Sequence, residues 1–530
     1  MSKRTHNVYF HLHTISGITI SVALFIIFFA GSYSLFVDAI EHWEKGDNIT
    51  AFVENKPAVD YNRLIDSLES KGIHLFGRNI NTTDKGSLYQ SVYLTGSEDS
   101  LAGELDQQPI NLVLNTETYE LKKVTPFFSL GDLLYELHFF NQLGKPGYYF
   151  SALVSLFFLF AIISGIIVHW KKIKMNFSVF RPKQKLKTIW TDAHTALGTI
   201  GLPFQFMYAL TGAMFGLSIL VSLSGSLMFG GNTEKFNKAL EDDHEEVHTH
   251  LGSPTDVSQM DYNAFRDKAD QHWPGFKGMY LGIMHYGSNT QQFRSYGYVS
   301  VKDQFLNEGE VVFDMGTGKV LHEHDPYDRD YTDNIWPTVY RLHFANYGNI
   351  GVLSEYLLKA LYFLMAILTC FVIISGVLIW LEARKKLTIS ERKKYYNKQV
   401  GHIYLAICMS MLPITAAAFI CSKLLPVSVN DHREITLNCF YFISWLLLSL
   451  FFWYKQDNGI TNRYSLLSAG ILGLAIPVVN GFISKNWFWL TYSRHDYGIF
   501  IIDILWMAIA LSCLYAYFRM TRKHRLHISE

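Results

Sequence analysis

HTISGITISVALFIIFFAG at residues 13–31 and HTALGTIGLPFQFMYALTG at residues 194–212 are two versions of one sentence. Each opens on a histidine, His13 or His194, at the mouth of a long apolar run, and each carries a glycine eighteen positions later, Gly31 or Gly212. A second pair of segments also repeats. Leu137-His138-Phe139 and Leu342-His343-Phe344 each precede an apolar run holding F-x-I-I-S-G, at Phe160–Gly165 and Phe371–Gly376. The chain is therefore an internal duplication in which histidine keeps its place near opposite ends of membrane-length helices. Ionisable side chains are costly in hydrocarbon and mark function there. Imidazoles held at both faces of an apolar bundle point to two stacked haems and an electron path across a membrane.

Working outward, eight apolar runs stand near 15–37, 148–168, 197–220, 357–381, 403–424, 437–454, 465–483 and 499–518. Most approach the roughly 20 residues that a helix needs to cross a hydrocarbon core. The 530 residues are 49% hydrophobic and 15% aromatic, beyond the habit of a soluble domain. Net charge is zero, which gives no sign of a nucleic-acid partner. Basic residues cluster after the second run (Lys171 to Lys187), after the fourth (Arg384 to Lys398) and after the last (Arg519 to Arg525), with Lys3 and Arg4 before the first. If each run crosses once, all four clusters share one side. The positive-inside rule then makes both termini of this multi-pass membrane protein cytoplasmic. Ala30-Gly31-Ser32 imitates a signal-peptide cleavage site, but the run is long and its twin at 194–220 lies mid-chain, so the first run is expected to be a retained helix.

All five cysteines lie in or beside apolar runs, leaving no disulfide framework for the polar loops. No C-x-x-C-H occurs. A haem here is expected to be b-type, held by side-chain ligands alone.

The fold expected is an all-α membrane bundle of about eight helices, with a duplicated helix-loop-helix core and two small α+β external modules. Its parts are transmembrane helix 1 at 1–38, a first external domain at 39–147, helices 2 and 3 with a basic loop at 148–222, a second external domain at 223–352, helix 4 at 353–385, and a four-helix extension at 386–530. In the second external domain a helix is expected over Tyr262–Trp273. Alternation follows at Met279–His285 and Gln292–Val299, and 310–314 leads into a turn at Met315–Lys319. The first external domain repeats that order more faintly, with a helix at Tyr61–Ser70 and strands at Leu88–Leu94 and Ile110–Leu114. These modules resemble PepSY domains. With the H-x-x-x-G entries and the LH pairs, the chain over roughly residues 5–385 resembles the PepSY-associated transmembrane family, which includes iron-regulated membrane proteins and ferric-siderophore reductases. The resemblance implies a two-haem wire delivering electrons to a periplasmic ferric chelate. The extension goes beyond the four-helix core that the resemblance implies.

His138 and His343 are expected to ligate an outer haem iron, and His13 and His194 an inner one. Two axial imidazoles suit electron transfer, because the ligand set changes little between Fe(III) and Fe(II). Gly17 and Gly198, one turn from the inner histidines, leave room for a flat macrocycle. His169 ends helix two outside the symmetry, since its repeat partner is Trp380; it is a further candidate to ligate or to bond a propionate. His11 faces away from His13. The tract from Asp242 to His250 and the cluster His322-Glu323-His324-Asp325 read as hydrated loops with some capacity for metal. Tyr280, Tyr286, Tyr296, Trp336 and Tyr340 are aromatic candidates for substrate capture; Asp503, a carboxylate inside an apolar run, invites a proton or quinone role but is expected to snorkel or to pair with Arg494.

The function expected is an inner-membrane di-haem b oxidoreductase that reduces a periplasmic ferric siderophore for iron uptake. No G-x-G-x-x-G follows a strand, so the electron donor is another protein, a soluble reductant or a quinol. The alternatives are a PepSY-type regulatory or binding protein without redox activity, or a transporter. Duplicated halves favour the transporter; the scarcity of broken helices and buried charges in the core opposes it.

Overall fold

The computed structural model describes residues 2–46, 58–84, 88–124, 127–170, 181, 184–232, 250–300, 305–329, 334–347, 350–385, 389–426 and 430–528. The first half runs α1 (Lys3–Ser34), α2 (Val37–Lys45), α3 (Tyr61–Ser70), β1 (Ile80–Thr83), β2 (Tyr89–Leu94), β3 (Ile110–Asn115), β4 (Leu121–Lys123), α4 (Leu130–His138) and α5 (Lys145–His169). The second half repeats it as α6 (Leu186–Ile200), α7 (Leu202–Met228), α8 (Tyr262–Asp270), β5 (Lys277–Met284), β6 (Gln292–Tyr298), β7 (Glu308–Asp314), β8 (Val320–His324), α9 (Ile335–Phe344) and α10 (Val352–Glu382). The extension adds α11 (Glu391–Leu424), α12 (Asn430–Lys455), α13 (Asn458–Ile483), α14 (Phe488–Ser493) and α15 (Tyr497–Ile528).

Seven helices among the described residues are long and apolar enough to cross a membrane: α1, α5, α10, α11, α12, α13 and α15. The third apolar run of the sequence forms α7, whose side chains at 217–223 and 226 lie outside the described residues. The chain is a multi-pass membrane protein. Its helices extend past their apolar runs: α1 begins at Lys3, so His13 stands ten residues inside the helix rather than at its start. The repeat of α1 is broken. Gly201 separates α6 from α7, and Pro203 follows at a position where its missing N–H costs nothing.

The sheet modules of the two halves, expected as separate external domains, are not separate sheets. They join edge to edge in one eight-stranded antiparallel sheet of order β4-β3-β2-β1-β5-β6-β7-β8, with β1 and β5 at the seam. That order is the same read from either end, as a pseudo-twofold axis through the seam requires. Alternate residues of each strand face a core under α3 and α8, including Ile80, Val92, Leu281, Ile283, Phe293 and Phe313. The two helices are locked by reciprocal caps built from Asp60-Tyr61-Asn62 and Asp261-Tyr262-Asn263. Asn263 accepts from Tyr61 N at 2.8 Å and donates to Asp60 at 2.8 Å; Asn62 accepts from Tyr262 N at 2.9 Å and donates to Asp261 at 3.0 Å.

Candidate functional site

Four histidines converge in two pairs, as their places in the repeat require. The rings of His13 and His194 lie 6.1 Å apart, and those of His138 and His343 5.9 Å apart. The members of each pair come from opposite halves of the duplication. His13 and Gly31, which touches the second pair, are eighteen residues apart on α1, or about 27 Å of helical rise. That rise is close to the thickness of a hydrocarbon core, about 30 Å.

Each ring is held by Nδ1. His13 donates to Ala161 O at 2.8 Å and His138 to Ile27 O at 2.8 Å; a carbonyl only accepts, so the proton is on Nδ1. His194 reaches Val372 O at 3.0 Å and Ser375 Oγ at 3.1 Å. His343 Nδ1 lies 2.9 Å from Thr211 Oγ1, whose own proton goes to Met207 O at 2.7 Å, so His343 donates there too. The shared tautomer leaves Nε2 with a lone pair, and no hydrogen bond to Nε2 of these four rings occurs among the described residues. Neutral imidazole with one nitrogen donating to the protein is the usual state of a metal-bound histidine.

The repeated S-G motifs now have a physical reason. A Cβ on Gly165 would come 3.2 Å from His13 Cε1, and one on Gly376 3.2 Å from His194 Cε1. Ser375 and Ser164 both turn their hydroxyls back onto the helix, where Ser375 also receives His194. A cavity of about 340 Å³ contains His138 and His343; aromatic rings such as Phe28, Tyr208 and Phe215 line it together with the small residues Gly31, Ala152, Gly212 and Gly216. A Cβ on Gly31 would fall 2.4 Å from His138 Nδ1, so only glycine admits that ring. Gly17 faces open space and Gly198 meets only Val372 at 3.9 Å.

Local structure aims the second pair. Ser129 and Asp132 form a capping box that starts α4, which ends at His138. Two residues after each histidine the chain turns through a positive φ without glycine, 57° at Phe140 and 52° at Ala345. Such residues cost of order 1 kcal/mol or more, and their recurrence at equivalent places marks a backbone held for its site. Arg341, two residues before His343, is buried and gives Nε and Nη2 to Glu308 of β7 at 2.9 and 2.7 Å. Glu44 of α2 does the corresponding work for α4. It accepts from Leu130 N at 2.8 Å and from Arg433 of the extension at 2.7 Å, all buried. Burial pushes the Glu44 carboxyl above its ordinary range, with Arg433 opposing the rise.

A homology comparison fits this plan. The model of the PepSY-associated TM region matches residues 10–383. The chain belongs to the PepSY-associated transmembrane family. An uncharacterised Pseudomonas aeruginosa protein, PA4219, is 24% identical over 264 residues, covering 48% of this chain and 64% of its own length; this family member's chain thus spans just under two thirds of that relative.

Other expectations fare differently. His169 ends α5 and is a member of neither ring pair. Among the aromatics, Tyr280 and Tyr296 lie on the open face of the sheet and Tyr340 lines the His138–His343 cavity, whereas Tyr286 is buried beneath α8. Asp503 neither snorkels nor pairs with Arg494. It is fully buried and accepts from Trp43 Nε1 at 2.8 Å and Asn480 Nδ2 at 3.0 Å, because α2 folds over the outer end of α15. The histidines at 244 and 248 lie outside the described residues, and Glu323 is taken up by His272 at 2.7 Å. No group of three metal-binding side chains appears among the described residues. Sequence reading missed Thr211, Ser375, Arg341 and the Glu44–Arg433 pair. Only the two serines of the S-G motifs left a repeated signal.

Proposed function

We propose that this protein is a bacterial inner-membrane oxidoreductase with two b-type haems, passing electrons from the cytoplasmic side to a periplasmic ferric chelate of the siderophore kind. The observation that carries the reading is the spacing of the paired rings. Two imidazoles that would hold one iron between them, at metal–nitrogen bonds of about 2.0 Å, would need ring centres roughly 6 Å apart. The separations of 6.1 and 5.9 Å meet that requirement twice in one chain. Haem, when bound, supplies a one-electron Fe(III)/Fe(II) couple.

On this reading His13 and His194 hold the cytoplasmic haem and His138 and His343 the periplasmic one, in a bundle of eight spans with both termini cytoplasmic. His169 stands beside the inner site as a bonding partner. The chain's own residues fix tautomer and ring orientation through the Nδ1 bonds and so leave the Nε2 lone pair of each ring for a metal. Phe28, Phe158 and Tyr208 pack together at 5.3 and 5.6 Å, and Tyr208 meets His343 at 6.0 Å, so the cavity at this pair has an aromatic wall. The external sheet domain is the PepSY-like part and meets the chelate.

The experiment is spectroscopic. The full chain, purified from cells supplied with ample haem, is expected to show split b-type bands on dithionite reduction, with two haems per chain, and to be reoxidised by an added ferric chelate under anaerobic conditions. A colourless protein overturns the reading.

A further inference from the structure

The sheet has a second face, and its residues are on the page. Opposite the face under α3 and α8, alternate positions present Asn81, Tyr93, Tyr280, Arg294, Tyr296 and Glu308. Glu308 shows where this face looks. It binds Arg341 of α9, two residues before His343, so the open face of the sheet is turned toward the helix that carries an outer histidine.

At the seam this face sinks into a concavity of about 340 Å³. Two cross-strand rows make its floor. One runs Tyr93–Asn81–Gly282–Arg294 and the next runs Thr83–Tyr280–Tyr296–Glu310. Gly282 leaves the centre bare; a Cβ there would lie 2.8 Å from Asn81 Oδ1. Tyr93 and Tyr280 stand at the rim with 39% and 40% of their surfaces exposed, although large aromatic side chains on a sheet normally find cover. Arg294 is ion-paired with Glu310, which makes the pocket nearly neutral while leaving guanidinium N–H groups beside the amide of Asn81 and the hydroxyls of Thr83 and Ser91. The volume lies in the range of small-molecule sites.

We infer that this seam pocket is where the ferric chelate docks, and that it selects compact iron(III) chelates of low net charge with an oxygen-rich surface and apolar arms. The inference rests on the reductase reading above for its occupant, and adds the place and the charge preference. Ring faces of Tyr93, Tyr280 and Tyr296 take the apolar arms, and Asn81, Thr83 and Arg294 donate to ligand oxygens. A neutral trihydroxamate complex suits a lining whose charged side chain, Arg294, is already ion-paired with Glu310; a triply anionic tris-catecholate complex would need that guanidinium freed from its partner.

The test separates docking from reduction by using gallium(III), which matches iron(III) in charge and geometry but is not reduced. The gallium complex of a linear trihydroxamate is titrated calorimetrically into the full-length protein, beside Tyr93→Ala, Tyr280→Ala and Glu310→Gln. Each lost ring is expected to weaken binding roughly tenfold, with the melting temperature and the haem spectrum unchanged. Glu310→Gln frees Arg294 and is expected to raise affinity for the gallium tris-catecholate. Unchanged affinity in both tyrosine variants overturns the site, as does an absence of binding of either complex to the parent protein. Binding lost in the variants while the parent fails to reduce the iron complex keeps the site and removes the reductase reading. Reduction with unaltered KM in both variants does the reverse.

Discussion

Gly31→Ala is the sharpest perturbation this architecture offers. Exchanging glycine for alanine inside a helix ordinarily stabilises it by roughly 1 kcal/mol. Here the new methyl falls 2.4 Å from His138 Nδ1 and 2.6 Å from its Cε1, so the ring or the helix must give by about an ångström. Moving the ring breaks the 2.8 Å bond to Ile27 O and leaves a buried donor without a partner, at a cost of about 1–3 kcal/mol. Overpacking adds about 1–3 kcal/mol. The net loss at the His138–His343 site is roughly 3 kcal/mol, or about two orders of magnitude in retention of its cofactor. The repeat twin supplies the control. A methyl on Gly212 meets the side chain of Ser155 at 2.8 Å and no histidine, and a serine hydroxyl turns aside cheaply. The assay is haem per chain with a redox titration resolving the two centres. Gly31→Ala is expected to lose or shift one centre and Gly212→Ala neither. Two intact centres at parental potentials in Gly31→Ala would refute the assignment of His138 as a ligand aimed from beneath by α1.

Replacing His138 or His343 with alanine is expected to leave one haem per chain, and the same haem in both variants, as read by difference spectra. Thr211→Val removes the acceptor for His343 Nδ1; retention at that site is expected to fall 10–100-fold in haem-competition assays, with the His13–His194 site unaffected. Arg433→Gln leaves Glu44 buried without its cation, and a cost of about 3–5 kcal/mol is expected to appear as a lower unfolding temperature. Because Glu44 also caps α4, the outer centre should be the first lost on heating. Asn62→Ala with Asn263→Ala removes both reciprocal caps of the sheet domain, each worth about 1 kcal/mol. Protease sensitivity is expected to rise in the external domain while both haem signals stay at parental intensity.

The membrane plan and the histidine pairing were legible because both are written as repeats. H-x-x-x-G and L-H recur at equivalent places, and the structure joins each ring to its repeat partner. The seam of the sheet was hidden. β1 is only four residues, INTT, and its alternation is too short to announce a strand until β5 supplies the other side of the ladder. The Asp-Tyr-Asn triplets at 60–62 and 261–263 did repeat in the sequence, but three residues carry little weight without the geometry that makes each the cap of the other. The break at Gly201 was concealed by its twin, because α1 runs unbroken through the equivalent place. Asp503 was misread because a carboxylate near a helix end normally reaches water, and nothing in the local sequence tells that α2 and Trp43 lie across its path.

The duplication is symmetric in its histidines and asymmetric in what holds them. α9 is fastened to the sheet through Arg341 and Glu308, while α4 is fastened to the extension through Glu44 and Arg433. The two rings of one site therefore answer to different bodies, one external and one buried in the added helices. Lys423 of α11 reaching Trp43 O, Asn486 reaching Gly46 O at 3.0 Å and Asp503 holding Trp43 all clamp the same short α2. Buried ion pairs contribute little net stability but resist rearrangement, since separating the partners leaves a bare charge in apolar surroundings. The helices that follow the family core thus act on the His138 side of the pair, through Arg433 and Glu44. A truncation after Lys385 removes Arg433, Lys423 and Asp503 together, and on this reasoning it impairs the His138–His343 site while leaving the ring contacts of His13 with His194 in place.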